Sequence, residues 1–255
     1  VWADITHERP DALLLLGDTV YLDHDNHADP LELAKELRTL YGRQFAEPNF
    51  ASLLADVKAR AGRILAIYDD HDFLGNNRYG GDHDPALSRA AREEFVRVFS
   101  PVMTGADVYS VQRIGPADVA VLDERFYRRS PGSSRADRDA ILGPAQWQWL
   151  EQVAAAPRAP FLIVCSSTTF HEFGDESWEQ YPTAFERMRS LLRGRSGAMI
   201  VSGDVHRNAI YDDSGVVEIV CSGVARNGIV FGSPRRNYGV LTFDDEGVRV
   251  QLMSL

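Results

Sequence analysis

Residues able to hold a cation or move a proton recur where apolar runs of this chain end. "LGDTVY" sets Asp18 and Tyr21 after the run 12–16, and "YDDHDFLGNN" sets Asp70, His71, Asn76 and Asn77 after 64–68. "SGDVH" sets Asp204 and His206 after 198–201, and "DERFYRR" sets Arg125 and Arg128 after 119–122. Oxygen and imidazole donors without thiolates suit hard or borderline cations such as iron, manganese, zinc, calcium or magnesium. Carboxylates crowded together repel one another unless cations sit between them. Two neighbouring cations could hold both the attacking and the departing oxygens of an in-line displacement, an arrangement that suits phosphate-ester hydrolysis.

Each residue has a bland role beside the chemical one. Tyr21, three positions beyond Asp18, either packs its loop or binds a trivalent metal through its phenolate. His71, flanked by Asp70 and Asp72, is either a strand-end histidine satisfied locally or a general acid with a carboxylate fixing its tautomer. The guanidinium forks of Arg125 and Arg128 match two phosphate oxygens, or else balance neighbouring carboxylates. His71 and Arg125 are the candidate catalytic groups, and Arg128 and Asn77 the candidate substrate contacts. Arg226 and Asn227 in "SGVARNG" are weaker candidates. The loop "YLDHDNHADP", with Asp23, His24, Asp25, His27 and Asp29, is a solvated loop or a further ligand set.

The elements that must position these groups are short apolar runs alternating with helical patterns. "ALLLL", "ILAIY", "VAVL", "FLIVC", "AMIV" and "VVEIVC" read as strands buried on both faces. Between them, 30–45, 84–100, 143–156 and 181–194 carry helical spacing, with Asp84 a candidate N-cap. "YGVLTFDDEGVRVQLMSL" reads as an antiparallel hairpin turning around Asp245-Glu246-Gly247. In open α/β sheets ligands bind outside the carboxyl ends of the strands, so these endings are expected to converge.

At 255 residues, 44% hydrophobic and 25% charged, the chain has the size and balance of one globular α/β domain. A net charge of −10 argues against a nucleic-acid partner, which calls for a basic face. It leaves phosphate substrates open, because bound cations reverse the local field. No apolar stretch is long enough to span a bilayer. There is no secretory signal, and the chain opens at Val1-Trp2 without a methionine, as a processed or trimmed product would. Cys165 and Cys221 both end apolar runs and are expected to be buried thiols.

The ordered set "LGDTVY", "YDDHD..GNN", "LDERFYR", "LGPAQWQWL" and "SGDVH" resembles the alkaline phosphatase D (PhoD-like) family of metallophosphatases, historically also called phospholipase D. The likeness runs from about Pro10 to the C-terminal "NYGVLTFDDEGVRV" and is carried by the set, not by any one motif. It implies a calcineurin-like αββα sandwich of two mixed sheets flanked by helices. It also implies phosphomonoester or phosphodiester hydrolysis with iron and calcium, or other divalent pairs, and an extracytoplasmic location. By motif, Asp18 would bridge two metals and Tyr21 would bind ferric iron, as in purple acid phosphatases, which "GDTVY" also resembles. Asp70 or the Asn76-Asn77 pair would serve the second metal, and Asp204 and His206 would close the site. Two departures stand out: the family's N-terminal strand, which supplies an early ligand, does not precede "LGDTVY" here, and Ser166-Ser167 replace a histidine common in the superfamily. A catalytically silent member that only binds metal or a phosphorylated ligand, and a calcium-stabilised surface binding module, are the competing readings.

Overall fold

An acid followed by proline opens three of the helices. Asp29, Glu47 and Asp84 accept the backbone N–H of Leu31, Phe50 and Ala86 at 2.8, 2.6 and 2.8 Å. Each satisfies a donor that the first helical turn leaves open, while the proline at the first position has no N–H to lose. The helices of the computed structural model are α1 (Trp2–Glu8), α2 (Pro30–Phe45), α3 (Pro48–Ala59), α4 (Pro85–Phe99), α5 (Pro144–Ala155) and α6 (Pro182–Arg193). The strands are β1 (Ala12–Leu16), β2 (Arg63–Ile67), β3 (Ser110–Ile114), β4 (Ala117–Val121), β5 (Phe161–Ser166) and β6 (Ala198–Ser202). They continue with β7 (Asn208–Asp213), β8 (Val216–Cys221), β9 (Gly228–Val230), β10 (Ser233–Arg235), β11 (Asn237–Asp244) and β12 (Gly247–Ser254). The structure describes residues 1–22, 27–105, 107–131, 141–156, 159–171, 176–213, 215–224, 228–230, 233–244 and 247–255.

The main sheet has the order β3-β4-β5-β6-β8-β7, parallel through its middle and antiparallel at both edges. β1 pairs in parallel with β2, and β11 pairs antiparallel with β12; the turn at Asp245-Glu246 lies outside the described residues. Three apolar clusters separate the layers. One packs Leu65 and Ile67 of β2 and Leu241 and Phe243 of β11 onto Val119, Ile163 and Val201 of the main sheet. A second packs Trp147 and Leu150 of α5 and Met188 and Leu192 of α6 onto the opposite face of that sheet. The third packs Leu33, Tyr41, Leu53 and Phe95 of α2, α3 and α4 onto Leu13, Leu15 and Ile64. The layers are therefore helix, sheet, sheet, helix, as expected. Every strand of the parallel centre is covered on both sides, which is why its sequence is apolar without alternation.

Cys165 is buried and Cys221 half-buried, and burial pushes both thiols up to about 12. Cys221 lines a cavity of about 540 Å³ that separates β1 from β11 and runs to Asp18, Tyr21 and His206. Among the described residues β1 pairs only with β2 and β11 only with β12, so both strands face this cavity without a ladder partner. No helix of the described residues is long and apolar enough to cross a membrane.

Candidate metal centre

The ends of β1 and β2 meet too closely for any side chain at Gly17. A Cβ there would lie 2.4 Å from that of Asp69, and its φ of +93° is one glycine adopts freely. Asp18 follows at φ +51°, turned sharply out of the strand. Asp72 ties the two strand ends together, accepting from Thr19 N at 3.0 Å and Asp69 N at 2.6 Å. Asp70 organises the loop after β2: one carboxylate oxygen accepts from His71 N at 2.7 Å and the other from Asn77 N at 2.6 Å. The result is a triple, Asp18, Asp70 and His71, each offering a ligand atom within 4.8 Å of the others.

From the main sheet, the loop after β6 brings Asp204 and His206, at φ +74° and +53°. The Tyr21 hydroxyl stands 2.9 Å from His206 Nε2 and 3.2 Å from Asp18 Oδ2, and the His206 nitrogen is 3.9 Å from that same oxygen. Asp204 accepts from Thr168 Oγ1 at 3.2 Å. Asp18, Asn77, Asp204 and His206 are four of the six non-glycine residues with positive φ in the described chain. Such conformations cost on the order of 1–3 kcal/mol each and persist where surroundings over-determine them, characteristically at functional sites.

The electrostatics are those of buried, crowded carboxylates. Burial, then Asp70, Asp69, Asp72 and Asp204, pushes the Asp18 carboxyl well above its ordinary range. Burial and Asp69 do the same to Asp204, against the pull of Arg125. Burial lifts Asp72 to about 8 in spite of the two backbone N–H groups it accepts. Asp18 Oδ1 and His71 Nδ1 are enclosed without a hydrogen-bond partner among the described residues. Unpartnered lone pairs among crowded carboxylates are what a bound cation would satisfy, so the donor set fits a hard or borderline metal.

The remaining expectations fare unevenly. Asn76 and Asn77 are exposed at the end of their loop, and Asn77 contributes its backbone to Asp70. Arg125 and Arg128 differ from the open-edge groups expected, since both are fully buried. Arg125 Nε lies 2.5 Å from Asp69, and its two terminal nitrogens take Glu176 at 2.9 and 3.2 Å. Burial alone would raise Glu176, yet this guanidinium holds its carboxyl below the usual range. Arg128 lies between the rings of Tyr79 and Tyr181, bonded to the Tyr181 hydroxyl and the Glu176 carbonyl. Arg125 is thus ion-paired with two buried carboxylates, which are costly to bury without a cation, whereas the hydrogen bonds of Arg128 go to a hydroxyl and a backbone carbonyl. In the acidic loop, Asp29 caps α2 and His27 pairs with Glu36 at 3.3 Å. Asp23, His24, Asp25, Arg226 and Asn227 lie outside the described residues. Glu124, Thr168, Glu176 and Glu218 also belong to this region, and of these only Glu124, within "DERF", lies in one of the sequence motifs.

A family model described as PhoD-like phosphatase matches residues 1–237. No curated protein matches the chain. Among solved structures, that of PhoD shares 18% identity and superposes with a TM-score of 0.67, covering 100% of this chain and 68% of its own. A dimetal phosphatase from Danio rerio shares 13% identity over 95% of this chain and 97% of its own, with a TM-score of 0.46. The order of motifs along the sequence, the layered sandwich that gathers them at one end, and a family model spanning nearly the whole length agree: this chain belongs to the PhoD-like phosphatase family.

Proposed function

We propose that this protein hydrolyses phosphate esters at a site of two or more metal ions, with Asp18, Tyr21, Asp70, Asn76, Asp204 and His206 as the ligand set. The observation that carries the reading is the close approach of Asp18 and Asp70, with the Asp18 Oδ1 enclosed and unpartnered among the described residues and His71 within reach of both. Bound cations would supply Lewis-acid polarisation of the phosphoryl oxygens and neutralise the carboxylates. The chain's own residues do the rest. Asp18 is set by its left-handed backbone, and Tyr21 links it to His206. With His71 Nδ1 enclosed, the proton for a departing alkoxide would sit on Nε2. Arg125 pairs with Asp69 and Glu176, holding the Glu176 carboxyl below its usual range and opposing the burial that raises Asp69. Among the described residues, β1 and β11 face the cavity with edges that lack a ladder partner. Iron with calcium is the proposed metal pair, with zinc, manganese or magnesium as the alternatives, and an extracytoplasmic location goes with the same likeness.

Hydrolysis of p-nitrophenyl phosphate and bis-p-nitrophenyl phosphate, after loading with defined metals, tests the reading and ranks monoesters against diesters. Metal binding without turnover of either would favour the silent-member alternative.

Tyr21 gives an optical test. A phenolate on ferric iron donates charge into the metal, so iron-loaded protein is expected to absorb in the visible and to bleach on reduction. Tyr21→Phe keeps the ring that packs 4.3 Å from His71 but removes the donor oxygen. The band should vanish while the thermal midpoint stays within a few degrees. An unchanged band in iron-loaded Tyr21→Phe would remove Tyr21 from the ligand set.

The pH dependence of metal-free protein has a definite sign. Asp72 at about 8 and Glu124 at about 7 lie above their unfolded values, both chiefly through burial, and Asp18 and Asp204 are displaced the same way. A carboxyl raised on folding binds more protons in the native state, so its stabilising contribution is full below about pH 4 and disappears as pH rises through the folded value. Thermal melts in chelator should therefore fall in midpoint between about pH 5 and 8, and metal should flatten the curve. A metal-free midpoint rising across that window would contradict the crowded-carboxylate account.

A further inference from the structure

We propose that Glu124 and Glu218 act as paired clamps that hold the segment 166–171 so that Thr168 fixes Asp204, making all three positioning residues for the reaction; this rests on the phosphoesterase reading above. The segment leaves β5 irregularly, and a loop of this kind ordinarily turns its N–H groups to water. Here they end on two carboxylates, both fully buried. One oxygen of Glu124 takes Ser166 Oγ at 2.9 Å, Ser167 N at 3.1 Å and Thr168 N at 3.2 Å. Glu218, from the middle of β8, takes Phe170 N at 2.7 Å and His171 N at 2.9 Å, and its carboxylate also lies 2.9 Å from His171 Nδ1. Its other donor is Ser202 Oγ at 2.5 Å, at the end of β6 and two residues before Asp204.

The clamps therefore grip the loop on both sides of Thr168 and grip the strand that delivers Asp204. Between them, Thr168 Oγ1 sits 3.2 Å from Asp204 Oδ2 and 3.2 Å from the Glu176 carbonyl. One hydroxyl proton serves only one acceptor at a time, so the side chain spans the strained Asp204 and the loop that carries the Arg125 partner. Burying two carboxylates merely to close a loop is expensive compared with backbone pairing or an apolar turn. The expense is accounted for if the geometry of Asp204, at φ +74°, has to be imposed from outside.

The test couples three substitutions through two readouts, Mn²⁺ affinity by titration and kcat on p-nitrophenyl phosphate. Thr168→Val is expected to weaken Mn²⁺ binding and lower kcat by roughly 10–100-fold each, the scale for losing a partner that orients a ligand. Thr168→Ser should restore both. Glu218→Gln should reproduce the loss, and in combination with Thr168→Val should add less than about twofold, since it acts through the same hydroxyl. If Glu218→Gln does not fold, Glu124→Gln, which grips Thr168 N from the other side, takes its place in the cycle. Losses that multiply, or folded variants whose Mn²⁺ affinity does not move, would overturn the clamp. Protein that binds Mn²⁺ with this coupling yet hydrolyses neither nitrophenyl ester would instead overturn the phosphoesterase reading and leave the clamp standing.

Discussion

Asp18→Asn is expected to remove bound metal and at least about 10³ of the phosphoesterase rate, beyond the 10–100-fold scale of an outer partner, while making the metal-free protein more stable. The two effects have one cause. Asp18 is buried beside Asp69, Asp70, Asp72 and Asp204, and its carboxyl is pushed well above its ordinary range by burial first and these neighbours next. As a neutral amide the same position repels nothing, so the metal-free melt should rise by about 2–6 °C, for a gain of roughly 1–2 kcal/mol at this chain length. Backbone strain does not oppose the change, because asparagine is among the residues that best tolerate the left-handed φ of +51° found here. Its amide oxygen can still accept from the Tyr21 hydroxyl, now 3.2 Å from Asp18 Oδ2. Elemental analysis, turnover and melts in chelator check the three parts. A variant that keeps its metal and rate, or that melts lower without metal, would show that Asp18 is structural.

That opposition of stability and activity marks what could be read from the sequence and what could not. The runs "ALLLL", "ILAIY" and "AMIV" are apolar at consecutive positions because β1, β2 and β6 are covered on both faces, so strand position and the convergence of Asp18, Asp70 and His206 were legible from spacing. β3, "SVQRI", and β7, "NAIYDD", were not legible, since edge strands with half-exposed faces carry a weaker apolar signal. α3 was not legible either, because "PNFASLLADVKA" follows α2 after two residues and is only weakly amphipathic. At the site, sequence gives charge but not depth. Arg125 was expected at an open edge, whereas its counter-ions Asp69 and Glu176 come from distant segments and bury it. Thr168 and Glu218 carry no motif at all; only the fold shows that one carboxylate on β8 meets the loop after β5.

His71→Ala separates two chemistries that the geometry brings to one ring. The ring lies in the metal-sized triple with Asp18 and Asp70, and its Nδ1 is enclosed and unpartnered, as a ligand nitrogen would be. It also packs against the Tyr21 ring, tilted at 41° with centroids 4.3 Å apart. As a general acid its loss should slow alkyl phosphate hydrolysis by about 10²–10⁴-fold, leave metal content intact, and cost much less with p-nitrophenyl phosphate, whose leaving group needs no proton. As a ligand, by contrast, its loss should strip metal and slow aryl and alkyl esters alike. Equal losses on both ester types with full metal content would assign His71 to neither role, leaving a contact to the phosphate itself. The ring's place within 4.8 Å of two carboxylates makes the metal measurement the decisive one, because a general acid can be rescued by a better leaving group and a missing ligand cannot.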